Sequence, residues 1–239
     1  MFMLGARIDP SSCPGEHSCL LPDTSPVLIP ASHGHLEALL REPTVLPRGA
    51  VVVCHPHPNY GGTMHTKAVY RGAQALSDAG LVALRFNFRG VGASTGSYDG
   101  GIGEEDDVLD ALDWLQGEYP GLPLIVGGFS FGSLVGMRVG AEDNRVVGLL
   151  GMGLPINLEL YDYSFLSGME KPVLVVQGEH DEFGTGEEAA ELITGLGGHI
   201  RLVRIPNSDH YFTGYWDELR GAVRGHYESG PGSQLMLSV

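Results

Sequence analysis

Five stretches of strand length are apolar along most of their span: "GAVVVCHP" (49–56), "LVALRFNF" (81–88), "LPLIVGG" (122–128), "RVVGLLGM" (145–152) and "KPVLVVQG" (171–178). They lack the polar alternation of a strand with one wet face. A strand apolar on both faces must be covered on both faces. The segments between and after them supply the covers. "KAVYRGAQALSDAG" (67–80) carries Val69, Ala73 and Leu76 at helical spacing and stops at Gly80. "EEDDVLDALDWLQ" (104–116) opens on four acids, which suit the positive end of a helix dipole. "FGSLVGMRVGA" (131–141), "EEAAELITGL" (187–196) and "YWDELRGAVRGHY" (215–227) read as further helices, and "HIRLVRI" (199–205) as a strand. The expectation is an α/β fold: a mostly parallel central sheet with helices on both faces. Ahead of it, "VLIPA" (27–31) and "HLEALLRE" (35–42) read as two short antiparallel strands. Residues 1–26, rich in Pro, Ser and Cys, read as a mobile or loosely packed arm, and 27–239 as a single domain.

Charge narrows the function classes. The chain has 14 basic and 29 acidic residues, a net charge of −15, and no basic cluster, so no nucleic-acid partner is expected. No apolar run is long enough to span a bilayer, so no membrane partner is expected either. The N-terminus does not read as a signal peptide, which suggests a cytoplasmic protein. Of three cysteines, Cys54 sits inside an apolar strand, and Cys13 and Cys19 lie in the arm with no Cys-x-x-Cys spacing. A Cys13–Cys19 disulfide is conceivable only outside the cell.

The frame Gly-x-Ser-x-Gly occurs twice, as "GASTG" (92–96) and "GFSFG" (128–132). It is the nucleophile-elbow frame of serine hydrolases. In a chain with 36 glycines the frame alone is close to noise, so context has to choose. Ser130 directly follows the strand "LPLIVGG" and directly precedes a helix. A strand–sharp turn–helix passage places a serine at the C-terminal edge of the sheet, where ligand sites form. Ser94 lies in a Gly-rich loop with no helix until about Glu104. Ser130 is therefore the expected nucleophile.

A serine hydroxyl needs a base, and the base needs an orienting carboxylate. His210, in "IPNSDHYF", lies past a strand and before the last helix. His199 precedes that strand and His226 sits within the final helix, so His180 is the only serious rival. For the acid, "VLVVQGEHDEF" places Glu179, Asp181 and Glu182 just past a strand end. Asp181 is the choice, Glu179 the runner-up, Glu182 a solvated loop charge, and Asp209 a loop or helix-cap residue. Two N–H donors for an oxyanion are expected from Phe131, after the nucleophile, and from His57 in "HPHPNYGG", with Tyr60 second. A metal on His55, His57 and His65 has no nearby carboxylate to complete it. No metal and no cofactor are expected.

Together, "HPHPNYGGTMHTK", "RFNFRGVGASTG", "GGFSFGS", "GEHDEF" and "SDHYF" resemble the small bacterial α/β-hydrolases described as carboxylesterase-like, from about residue 27 to about residue 228. The resemblance implies the α/β-hydrolase fold, a Ser130–Asp181–His210 triad, an oxyanion loop at "HPHP" and a small-molecule ester substrate. Thr66 and Tyr211 depart from the family pattern without being expected to touch the triad. The connection "LPINLELYDYSFLSGMEKP" is too short for a sizeable cap domain. The site is expected to be open, walled by Tyr60, Met64, Phe129, Leu154, Phe165 and Phe212, in a monomer or homodimer that cleaves neutral short-chain esters.

Overall fold

The computed structural model describes residues 24–236. Eight strands form one sheet: β1 (Thr24–Ala31), β2 (Gly34–Arg41), β3 (Ala50–Cys54), β4 (Val82–Phe86), β5 (Leu124–Phe129), β6 (Val146–Met152), β7 (Val173–Gly178) and β8 (Ile200–Ile205). Their spatial order is β1-β2-β4-β3-β5-β6-β7-β8. The first two strands pair antiparallel with each other, and β2 pairs antiparallel with β4. Every other pairing is parallel.

Five α-helices cover the sheet: α1 (Lys67–Asp78), α2 (Ile102–Glu118), α3 (Phe131–Glu142), α4 (Gly186–Leu196) and α5 (Trp216–Glu228). The strand alternation sorts the core into two layers. In β5, Leu124 and Val126 point into the layer under α2 and α3, while Ile125 and Phe129 point into the layer under α1 and α5. Burial on both faces is what the continuous apolar runs require.

The domain begins earlier than the arm boundary at residue 26 suggests. Thr24, Ser25 and Pro26 are already in β1, paired with Arg41, Leu40 and Leu39. Pro26 and Pro30 look hostile to a strand, but β1 is at the sheet edge, where a missing N–H costs little. Cys13 and Cys19 lie outside the described residues. Of the acids opening α2, Glu104 and Asp107 are buried rather than solvated. Glu104 accepts from the N–H groups of Asp99 and Gly101, and Asp107 binds Arg89 and His33.

His226, in α5, is buried, and among the described residues its Nδ1 has no hydrogen-bond partner. Burial, helped by the charge of Arg201, pushes its pKa from 6.5 down to about 4. The sign follows from linkage. Between those values the unfolded chain takes up a proton that the folded chain refuses, so this group's contribution is full above 6.5 and is lost toward pH 4. Urea midpoints should fall between pH 7.5 and pH 5, and His226→Phe should shrink that fall. An unchanged difference in the variant would contradict the assignment.

Candidate active site

β5 runs straight into α3 through Ser130. The serine has φ 56° and ψ −124°, a backbone state that costs a non-glycine residue about 1–3 kcal/mol. The surroundings hold it there. Its N–H donates to the Met152 carbonyl at 3.0 Å, and its carbonyl accepts from Ser133 Oγ at 2.6 Å. Gly128 and Gly132 make the elbow possible. A Cβ at Gly128 would lie 2.5 Å from the Cys54 oxygen, and one at Gly132 would lie 2.4 Å from the His55 oxygen.

Two loops at the same sheet edge complete the constellation. Asp181 follows β7 and His210 follows β8. His210 Nδ1 lies 2.8 Å from Asp181 Oδ2, and Nε2 lies 3.0 Å from Ser130 Oγ. A carboxylate facing Nδ1 fixes the proton there and leaves the Nε2 lone pair toward the serine. Asp181 is fully buried, and His210 is only 2 % exposed. Burial pushes the Asp181 carboxyl above its ordinary range, while the hydrogen bond and charge of His210 and the Phe183 N–H pull it back. Its oxygens accept from Phe183 N at 2.9 Å, from Gln177 Nε2 at 2.9 Å and from His210. Gln177 also brackets Leu154, accepting from its N–H and donating to its carbonyl. Gln177 was legible in principle, as the one polar side chain inside "VLVVQ".

The rival residues are occupied elsewhere. His180 is exposed. Glu179 faces Arg204 at 3.5 Å. Glu182 is not merely solvated, because its Oε2 accepts from the His210 N–H at 3.2 Å. Asp209 caps a turn through the Thr213 N–H at 2.7 Å. Ser94 is buried; its hydroxyl donates to the Asn87 carbonyl at 2.6 Å and accepts from the Glu37 N–H at 2.8 Å. It ties the loop after β4 to β2.

Beside Ser130 lies a cavity of about 560 Å³. Its walls include His57, Tyr60, Gly61 and Gly62 on one side, and Pro155, Leu158, Tyr161 and Phe183 from the loops after β6 and β7. Of the expected wall residues, Tyr60 is there. Met64, Phe129, Leu154 and Phe212 are not, because each is at most 2 % exposed and packs into the core. Phe165 packs on the core beneath Arg138. Phe129 acts from below, its ring 4.9 Å from that of His210. Thr66 and Tyr211 do line the cavity, and the Tyr211 ring meets the His210 ring edge-on at 5.2 Å. Tyr211 thus touches the histidine, contrary to expectation.

The "HPHP" loop comes alongside the elbow, with the His57 ring 5.0 Å from the Phe131 ring. Among the described residues neither the His57 nor the Phe131 N–H has a protein acceptor. His57 lines the cavity. No three His, Cys, Asp or Glu side chains among the described residues gather into a possible metal site.

This architecture has relatives. The α/β-hydrolase domain family matches residues 49–217. An uncharacterized protein of Rickettsia prowazekii is 34% identical over 200 residues, spanning 81% of this chain and 84% of its own. An α/β serine hydrolase homologue from Coxiella burnetii is 33% identical with a TM-score of 0.78, covering 84% of this chain and 95% of that one. A Xanthomonas campestris α/β serine hydrolase described as lacking a lid is 31% identical with a TM-score of 0.78, covering 86% and 94%. The connection between β6 and β7 carries only a short 3₁₀ turn, Ser164–Leu166, so a large cap domain is missing here too. The chain therefore belongs to the α/β-hydrolase domain family, as a cap-less member related to bacterial serine-hydrolase-like proteins.

Proposed function

We propose that the chain is a serine carboxylesterase acting on small neutral esters. One observation carries this reading: the unbroken hydrogen-bonded series Asp181–His210–Ser130 at the mouth of a cavity. In the proposed reaction Ser130 Oγ attacks the ester carbonyl carbon as its proton passes to His210 Nε2. Asp181 stabilises the resulting imidazolium. The negative oxygen is held by the N–H groups of Phe131 and His57, a donor of this kind being worth about 10²–10³ in rate. The carbon–alkoxide bond breaks, and the alcohol leaves with the proton from His210. Water, deprotonated by His210, then splits the acyl-enzyme into acid and free Ser130.

The cavity walls argue for neutral substrates. Among the described residues no Lys, Arg, Asp or Glu lines them, so an anionic group would lose hydration without gaining a lysine or arginine partner. Assayed across p-nitrophenyl esters, the protein should turn over acetate and butyrate readily and the hemisuccinate poorly. Matched p-nitroanilides should be turned over far more slowly than the esters. Preferred cleavage of anilides, or of the hemisuccinate, would overturn the reading.

A further inference from the structure

His55 ends the strand run just ahead of the loop proposed to hold the oxyanion, and its side chain is fully buried. The Phe88 N–H, just past β4, donates to His55 Nε2 at 3.0 Å. Nε2 is therefore the acceptor, and the ring proton sits on Nδ1. That Nδ1–H faces the Pro56 carbonyl at 2.6 Å and donates to it. Burial drives the His55 pKa down to about 4, which keeps the ring neutral and this tautomer in place near neutral pH.

The Pro56 carbonyl and the His57 N–H are two ends of one planar peptide unit, pointing in opposite directions. Holding the oxygen at one end fixes the direction of the N–H at the other. A donor on the carbonyl also polarises the unit and makes the N–H a better donor. The neighbouring geometry guards this arrangement. A Cβ at Gly62 would lie 2.0 Å from the Pro56 oxygen. The His57 carbonyl is held separately by the N–H groups of Tyr60 and Gly62, both at 3.1 Å. The His57 ring is held by the Asn59 N–H on Nδ1 at 3.2 Å and by the Tyr98 hydroxyl at Nε2, 3.1 Å away.

We propose that His55 is a positioning residue for ester cleavage: through the Pro56 carbonyl it aims the His57 N–H at the developing oxyanion. This rests on the esterase reading above. The histidine touches no reacting atom; it acts through the peptide it holds.

The test compares His55→Phe, which removes the donor, with His55→Asn, which keeps a donor near the Nδ1 position. Rates are expressed per active site, titrated with a fluorophosphonate, so that poorly folded material does not count. For His55→Phe the expected result is a fall of about 10–100-fold in kcat with KM within about twofold, the pattern of a lost transition-state interaction. Affinity for a trifluoromethyl ketone, whose adduct with the serine carries an oxyanion, should fall by the same factor. His55→Asn should recover part of both losses. Wild-type kcat in His55→Phe, or a kcat loss without the matching loss of ketone affinity, overturns the proposal. So does an asparagine variant no better than the phenylalanine one. Should both variants fail to fold, ¹⁵N NMR of the wild-type protein decides: the Nδ1–H tautomer at His55 supports the proposal and the Nε2–H tautomer overturns it. A wild-type protein that cleaves no ester overturns the esterase reading instead, so the two failures are distinguishable.

Discussion

Ser130→Ala is expected to lower kcat on p-nitrophenyl acetate by roughly 10⁴–10⁶-fold, the scale seen when a nucleophile acting as part of a unit is removed. The variant should fold normally. Ser130 is half-buried, and its structural contacts run through its backbone to Met152 and Ser133. Among the described residues its Oγ bonds only His210. Ser94→Ala provides the contrast in the same pentapeptide frame. The Ser94 hydroxyl joins the Asn87 carbonyl to the Glu37 N–H, and leaving buried groups unpaired costs about 1–3 kcal/mol. That variant should melt earlier and retain activity within about tenfold of wild type. The reverse pattern, with Ser94→Ala inactive and Ser130→Ala active, would reassign the nucleophile.

Asp181→Asn should cost about 10⁴-fold in kcat, with KM little changed. The reason lies in the donors around the carboxylate. Phe183 N–H, Gln177 Nε2 and His210 Nδ1–H all point at Asp181 oxygens. An amide has one acceptor oxygen where the carboxylate has two. With that oxygen kept on Phe183, its NH₂ faces both Gln177 and His210. The histidine must then move its proton to Nε2, where it can no longer accept from Ser130. Labelling by a fluorophosphonate should slow in parallel with kcat, because both use the same proton transfer. Undiminished labelling in this variant would show that Asp181 does not set the tautomer.

The sheet was legible because burial on both faces leaves a continuous apolar run, and the elbow because strand, serine and helix are contiguous in sequence. His210 and Asp181 could be placed by the same logic, as residues just past strand ends. The cavity walls could not. Met64, Phe129, Leu154 and Phe212 sit near the site in sequence, but their side chains fall on the inward side of the chain. Phe129 ends β5 and faces the α1 and α5 layer; which side a loop residue such as Met64, Leu154 or Phe212 takes depends on turns that carry no period. Leu158 and Tyr161 come from the aperiodic stretch between β6 and β7 and reach the cavity only through its folded path. The partner of one buried acid was out of reach for a similar reason. Asp107 lies in a run of four acids that reads as a helix start, and its partners Arg89 and His33 are brought to it only by the tertiary fold, whereas Glu104 caps its own helix through the N–H groups of Asp99 and Gly101.

The central claim is that Ser130, activated by His210, is the nucleophile. The most direct measurement is mass spectrometry of the intact protein, and then of its peptides, after treatment with a fluorophosphonate. The account predicts one adduct per chain, on Ser130, abolished in the Ser130→Ala protein and suppressed in a His210→Ala protein. A chain that takes up no adduct, or carries it on Ser94, would contradict the account.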